Sequence, residues 1–132
     1  NDTCHVILRG GSKTGPNHSP AHVDDACGRL ASQNAHASVM IDCSHGNSLK
    51  DWRNQPGVAT SIAEQVASGS WRVFGAMIES FLVEGRQEYV PGREACYGQS
   101  ITDACLSLDA TERLLEQLAA AQQRRGQVSS ST

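Results

Sequence analysis

The chain has no block of basic residues and few aromatics: its 11 Lys and Arg are outnumbered by 14 Asp and Glu, and Phe, Trp and Tyr make up only 5% of it. A surface that neutralises a phosphate backbone needs clustered cations, and one that stacks bases needs aromatic platforms. Nucleic acid is therefore not an expected partner. No apolar stretch approaches the ~20 residues that a membrane-crossing helix requires. The polar start, Asn1-Asp-Thr, lacks the basic and apolar regions of a signal peptide, so the expected setting is cytosolic, with no membrane partner.

Any C-x-x-C pair is also absent. The 5 cysteines, Cys4, Cys27, Cys43, Cys96 and Cys105, are odd in number and scattered, which argues for reduced thiols and against a disulfide framework or a structural zinc site. Cys27 and Cys43 fall within apolar patterns and are expected as small core residues. What is present suits one soluble domain: 132 residues, 39% hydrophobic and 19% charged.

The organisation reads as a strand followed by a helix, three times, an α/β pattern with a parallel sheet. The first strand covers about residues 4–9 and leads through Gly10-Gly11 to a helix opening at Ser19-Pro20, where serine can cap free amides and proline suits the first turn. Val23, Ala26, Cys27, Leu30 and Ala31 give that helix one apolar stripe. The second strand, about 38–43, leads into a segment that Pro56 is expected to divide or kink, with Val58, Ile62, Ala63 and Val66 as its apolar face and Gly69 as its stop. The third strand, about 72–79, is followed by a long segment to residue 100, with a hairpin expected around Pro91-Gly92. Segments of that length in a compact domain usually cover or complete a site. The last helix is expected to start at Asp109-Ala-Thr-Glu112, which looks like a capping box, and to bury Leu114, Leu115, Leu118 and Ala119. Residues 1–125 form the folded part, and 126–132 read as a flexible polar tail with too little apolar surface to offset ordering.

Two motifs carry no function. Gly10-Gly-Ser-Lys-Thr14 lacks the spacing of a phosphate-binding P-loop, because the residue before Lys13 is serine and no glycine stands five positions ahead of that serine. His18 and His22 are four apart, but His18 precedes the helix cap and no third ligand stands near, so both read as exposed loop and first-turn side chains. The stronger group consists of polar residues at the ends of the apolar runs: Arg9, His45 and Glu79. Parallel β/α folds place their chemistry at the carboxyl ends of strands. With Asp103, the residues His45 and Glu79 make a mixed nitrogen and oxygen set suited to Mn²⁺, Fe²⁺, Co²⁺ or Zn²⁺. Spacing alone leaves open the alternative that Glu79 and Asp103 are simple cap or loop acids.

Four segments carry more than spacing: Val6-Ile-Leu-Arg-Gly-Gly11, Met40-Ile-Asp-Cys-Ser-His-Gly-Asn-Ser48, Ile78-Glu-Ser with Leu82-Val-Glu-Gly85, and Tyr97-Gly-Gln-Ser-Ile-Thr-Asp-Ala-Cys105. In order and extent, up to about Arg125, they closely resemble the class I 3-deoxy-D-arabino-heptulosonate 7-phosphate (DAHP) synthases, the first enzymes of the shikimate pathway. The resemblance implies a transferase that joins phosphoenolpyruvate to erythrose 4-phosphate and releases phosphate. It implies that His45, Glu79 and Asp103 ligate a divalent metal, His45 counting also as catalytic, and that Arg9 contacts phosphoenolpyruvate. The planar donor fork of an arginine suits phosphate or carboxylate.

The family fold is a complete (β/α)8 barrel, typically of more than ~200 residues, and this chain resembles only its last three units. The family's cysteine ligand, further phosphoenolpyruvate-binding cations and the erythrose-phosphate motif have no counterpart here, and Cys43 or Cys105 can replace that ligand only by rearrangement. The expectation is therefore a partial barrel, a C-terminal portion of a synthase that is inactive alone and belongs to a homo-oligomer when full-length. The alternative is a non-catalytic metal- or phosphoanion-binding half-barrel that assembles with another chain.

Overall fold

A computed structural model describes residues 4–129. Its centre is a parallel sheet in the order β1 (Val6–Leu8), β2 (Val39–Asp42), β3 (Val73–Met77). Each strand is followed by a helix: α1 (Pro20–Ser32), α2 (Gln55–Ala67) and α3 (Leu108–Ser129). This is α/β architecture with parallel strands, as the apolar runs implied. No helix of the described residues is long and apolar enough to cross a membrane.

The core lies between the sheet and its helices. Leu8, Val39, Ile41 and Val73 from the strands meet Val23 and Cys27 of α1 and Val58, Ile62 and Ala63 of α2. Alternation puts Met40 and Asp42 on the other face of β2. The register between β2 and β3 shifts once, because Val39 pairs with Val73 while Met40 pairs with Gly75, leaving Phe74 as an extra residue. Such a bulge reverses the sense of alternation. Beyond it Ala76 and Ile78 pack into the core, so Gly75, Met77 and Glu79 fall on the face shared with Asp42. Without the bulge Glu79 would turn toward the helices.

The loops after β1 and β2 are clamped together. A Cβ on Gly46 would lie 2.5 Å from the Gly11 nitrogen and 2.6 Å from the Gly10 carbonyl carbon, so only glycine permits this backbone contact. Asn47, 3% exposed, ties the contact down. Its Nδ2 donates to the carbonyls of Leu8 at 3.0 Å and Asp42 at 2.8 Å, and its Oδ1 accepts from Asn17 N–H at 2.7 Å. Asn17 Oδ1 in turn accepts from Gly10 N–H at 2.7 Å.

Several boundaries differ from expectation for identifiable reasons. Pro56 does not kink a helix: a 3-10 turn at Trp52–Asn54 precedes it, and it occupies the first turn of α2, where its missing N–H costs nothing. Gly69, at φ 99°, lies just past α2 as a stop residue. The segment after β3 forms no antiparallel hairpin. Instead β4 (Val83–Arg86) pairs in parallel with β5 (Gln99–Ser100). The intervening crossover is pinned at its base by Gln87, which donates to the carbonyls of Cys96 and Gln99 and accepts from Cys96 N–H.

At α3 the cap is Ser107, whose Oγ accepts from Ala110 N–H at 3.3 Å, rather than Asp109. The buried stripe runs through Thr111, Leu114, Ala121 and Arg125 with Leu118 partly covered, while Leu115 is 56% exposed and Ala119 is also exposed. The hydroxyl of Thr111 donates to Ser80 Oγ at 2.6 Å, so a polar position was needed where apolar periodicity was sought. Ala31 of α1 is likewise exposed. The last helix continues past Arg125 to Ser129, so its boundary lies later than the expected start of the tail; residues 130–132 lie outside the described residues.

Replacing Asn47 by Ala removes partners from three backbone groups in a buried site, and each orphaned group costs ~1–3 kcal/mol. The expected loss is roughly 2–4 kcal/mol of unfolding free energy, read from the urea midpoint at unchanged slope. A loss below about 0.5 kcal/mol, the range of neutral surface changes, would show that the loop clamp is not held by this side chain.

Candidate functional site

Each candidate follows the carboxyl end of a strand: Arg9 follows β1, His45 lies in the turn after β2, and Glu79 lies just beyond β3. Asp103 comes from the segment between β5 and α3, which the paired backbones of Gly85 and Cys105 tie back to β4. All four line one cavity of about 880 Å³, together with Lys50 and Arg86. The sequence had singled out the first four. It had not drawn attention to Lys50 or Arg86.

One ligand atom from each of His45, Glu79 and Asp103 lies within 4.8 Å of the others. Bond lengths to a cation are near ~2.0–2.2 Å for nitrogen or oxygen, so atoms this close are candidates for one shared ion. His45 Nε2 lies 3.3 Å from Glu79 Oε1. Among the described residues neither Cys43 nor Cys105 joins this group. Cys43 is fully buried, and burial together with the neighbouring Asp42 charge pushes its thiol up to about 12, which keeps it a protonated core residue. Cys27 is buried too, so both behave as core cysteines.

The orientation of His45 depends on a residue that the sequence reading missed. Asp42 is 0% exposed, and its Oδ2 accepts from His45 Nδ1 at 2.7 Å while its Oδ1 accepts from Ser44 N–H at 2.8 Å. A proton held at Nδ1 leaves the Nε2 lone pair free for a cation, the usual arrangement of a carboxylate behind a ligating imidazole. Arg9 Nε stands 3.6 Å from the same carboxylate, with 61% of its side chain exposed. The available signal was the Asp42-Cys-Ser-His45 spacing at a strand end. His45 has φ 51°, a left-handed conformation that costs a non-glycine residue ~1 kcal/mol or more; the Asp42 contact is what such a turn sustains.

Glu79 is positioned in two ways. Gln55, fully buried at the start of α2, pairs with its peptide group as a neighbouring strand would: Oε1 accepts from Glu79 N–H at 2.9 Å and Nε2 donates to its carbonyl at 3.1 Å. Ser44 Oγ donates to Glu79 Oε2 at 3.2 Å. His18 and His22 stay apart from the cavity. His22 Nδ1 meets Ser19 Oγ at 2.7 Å, while His18 is partly buried, which lowers its pKa.

Gln55→Met, which keeps the side-chain length and removes both hydrogen bonds, is expected to weaken Mn²⁺ binding by about tenfold or more. Calorimetric titration of variant and parent chains measures it. Equal affinities in two chains with the same circular dichroism would remove Gln55 from any role in holding Glu79.

The model of the DAHP synthetase I family matches residues 1–116. Phospho-2-dehydro-3-deoxyheptonate aldolase of Haemophilus influenzae is 48% identical over 118 residues, covering 89% of this chain and 32% of that protein. The Phe-sensitive enzyme of the same name from Escherichia coli is 45% identical over 127 residues, covering 96% of this chain and 36% of that protein. The solved structure of phospho-2-dehydro-3-deoxyheptonate aldolase from Francisella tularensis superposes with a TM-score of 0.89 at 48% identity, over 95% of this chain and 36% of the other. The chain thus spans about a third of the length of the curated relatives it matches. With the matched residues running through all four candidate positions, the chain belongs to the DAHP synthetase I family.

Proposed function

We propose that this chain supplies the last three β/α units of a (β/α)8 DAHP synthase. The intact enzyme condenses phosphoenolpyruvate with erythrose 4-phosphate to DAHP and phosphate, opening the shikimate route to aromatic amino acids. The observation that carries the reading is the convergence of His45, Glu79 and Asp103 with Arg9 on one cavity at the carboxyl ends of parallel strands.

In this reading His45, Glu79 and Asp103 hold a divalent cation, and their ligand atoms fit one: a nitrogen and two carboxylates gathered within 4.8 Å. When bound, such an ion supplies Lewis acidity toward an aldehyde oxygen or lowers the pKa of a bound water. Asp42 holds the proton at His45 Nδ1 and so fixes which nitrogen faces the ion. Arg9, whose Nε stands 3.6 Å from the Asp42 carboxylate, keeps the rest of its fork for the carboxylate or phosphate of phosphoenolpyruvate. Gln55 and Ser44 restrain Glu79, so the acid meets the cation without first losing conformational freedom.

The isolated chain is read as inactive. β1 and β3 are the outer strands of the three-stranded sheet, and Ile7 and Phe74 are 38% and 49% exposed. Unpaired parallel edges and bare apolar side chains are the condition that barrel closure removes. The same observation favours a second reading, a half-barrel that assembles with another chain.

Phosphate release from phosphoenolpyruvate by the purified chain, with Mn²⁺ present, is expected to be no greater with erythrose 4-phosphate than without it. Sugar-dependent release would overturn the reading of this chain as an incomplete part. In a full-length synthase carrying this segment, His45→Ala or Glu79→Ala is expected to abolish metal-dependent turnover. Asp42→Asn, which can present the wrong hydrogen-bonding partner to Nδ1, should weaken metal binding by roughly 10–100-fold. Normal turnover of His45→Ala or Glu79→Ala at limiting metal would refute the ligand assignment.

A further inference from the structure

We propose that Trp52 is a positioning residue for Asp103: it steadies the β4 backbone from which the Asp103 segment hangs, and so holds that carboxylate toward His45 and Glu79. The inference rests on the reading of these three residues as ligands to one cation. The other two have side-chain support. Asp42 holds His45 at 2.7 Å, and Ser44 holds Glu79 at 3.2 Å. Among the described residues the Asp103 carboxylate makes no hydrogen bond or ion pair, and the residue is exposed. Its place beside the other ligand atoms therefore comes from the backbone that carries it.

That backbone has two supports. Leu106, 2% exposed, donates its N–H to the Glu79 carbonyl at 2.9 Å and accepts from Phe81 N–H at 2.9 Å, which fixes the end of the segment nearest α3. Cys105 exchanges both hydrogen bonds with Gly85 of β4, at 2.8 and 3.1 Å. The second support is only as firm as β4, which belongs to the two-stranded pair with β5 and not to the central sheet. Among the described residues beyond its own chain neighbours, a Cβ on Gly85 would meet two side chains within 4 Å: Gln99 of β5 and, at 3.8 Å, the indole Nε1 of Trp52. Trp52 is the one that comes from outside the β4 and β5 pair.

Trp52 is itself anchored. It opens the 3-10 turn before α2 and packs against the core, with the Arg53 guanidinium carbon 5.4 Å from its ring centroid. Asp51 caps that turn by accepting from Arg53 N–H at 3.0 Å. The same short stretch reaches the carriers of the other two ligands. Lys50 N–H donates to the His45 carbonyl at 2.8 Å, and Gln55 pairs with the Glu79 peptide. One turn, residues 50–55, thus sets the spacing of three groups that come from three different segments. A ligand held in this way loses little freedom when the cation binds, whereas one on a loose segment has to be ordered first.

Calorimetric titration with Mn²⁺ of the parent chain, Trp52→Leu, Asp103→Asn and the double variant tests the role, with circular dichroism to check each fold. Leucine keeps an apolar contact with the core but is too short to reach β4. Trp52→Leu is expected to weaken Mn²⁺ binding by about tenfold, the scale of loss for a group that orients a ligand, and Asp103→Asn by at least as much. The double variant should bind within about twofold of Asp103→Asn, because a group that acts through Asp103 then has nothing left to orient. Trp52→Leu binding as the parent does, or a double variant weaker than Asp103→Asn by about tenfold more, would overturn the role while leaving the ligands in place. A parent chain without measurable Mn²⁺ affinity, or Asp103→Asn binding as the parent does, would overturn the ligand assignment and the role together. A second readout does not depend on how Trp52→Leu folds. The chain has 2 tryptophans, so in Trp71→Phe the indole emission comes from Trp52 alone. Zn²⁺, a closed-shell ion without redox chemistry, is expected to change that emission at the midpoint of a Zn²⁺ calorimetric titration, and adding Asp103→Asn should remove the change. Emission that ignores bound Zn²⁺, or that responds equally without Asp103, would overturn the coupling.

Discussion

A carboxylate that no water reaches has to be satisfied from within the protein, and Asp42 is such a group. Leaving it unpaired would cost several kcal/mol or force it to take up a proton. Its donors are the Ser44 amide and the His45 imidazole, with the Arg9 guanidinium close by. Satisfying the first shapes the turn after β2. Satisfying the second holds His45 in a left-handed conformation with its outer nitrogen turned toward Glu79. The third draws the end of β1 toward the end of β2. One buried charge thus links the local backbone, the histidine tautomer and the approach of the neighbouring strand.

That approach is made possible by the absence of side chains. Gly10 and Gly46 meet backbone to backbone, and the Asn47 amide closes the space around them with hydrogen bonds to both strand ends. On the other side of β2 the device differs. The register shift at Phe74 turns Glu79 to the face of Asp42, and Gln55 reaches from the start of α2 to hold the Glu79 peptide. The two flanking strands therefore deliver their side chains by unrelated means: close glycine packing on one side, a bulge and a borrowed amide on the other.

The parallel α/β scaffold was legible because its signals are repetitive. Each strand was an apolar run, and each helix opened near a serine or proline or carried apolar residues three and four apart. Arg9, His45 and Glu79 were legible because a polar residue interrupts a run where the strand ends. Pro56 misled, since a proline inside an apparent helix and one at the start of a helix differ only by where the preceding turn stops. Leu115 misled because periodicity cannot distinguish an apolar residue at the border of a stripe from one inside it. The hairpin expected at Pro91-Gly92 ignored Gln87, whose side chain replaces the cross-strand bonds that a tight turn would have made. Asp42, Gln55 and Asn47 were the hardest to see. Their importance comes from burial and from partners distant in sequence, neither of which a local pattern encodes.

The arrangement also bears on how few strands are needed to position such a site. The contacts among Arg9, Asp42, Ser44, His45 and Glu79 all run between β1, β2 and β3 or their loops, and Gln55 adds α2. None depends on a strand outside this sheet, so a three-stranded unit can position these groups by itself. What the unit does not supply is enclosure: Ile7 and Phe74 remain open to solvent on the sheet. Water there screens the attraction between ligands and charged side chains that a dry cavity would strengthen. Positioning and desolvation are thus separable contributions. The first is local to these strands and helices, whereas the second depends on covering the sheet face and edges.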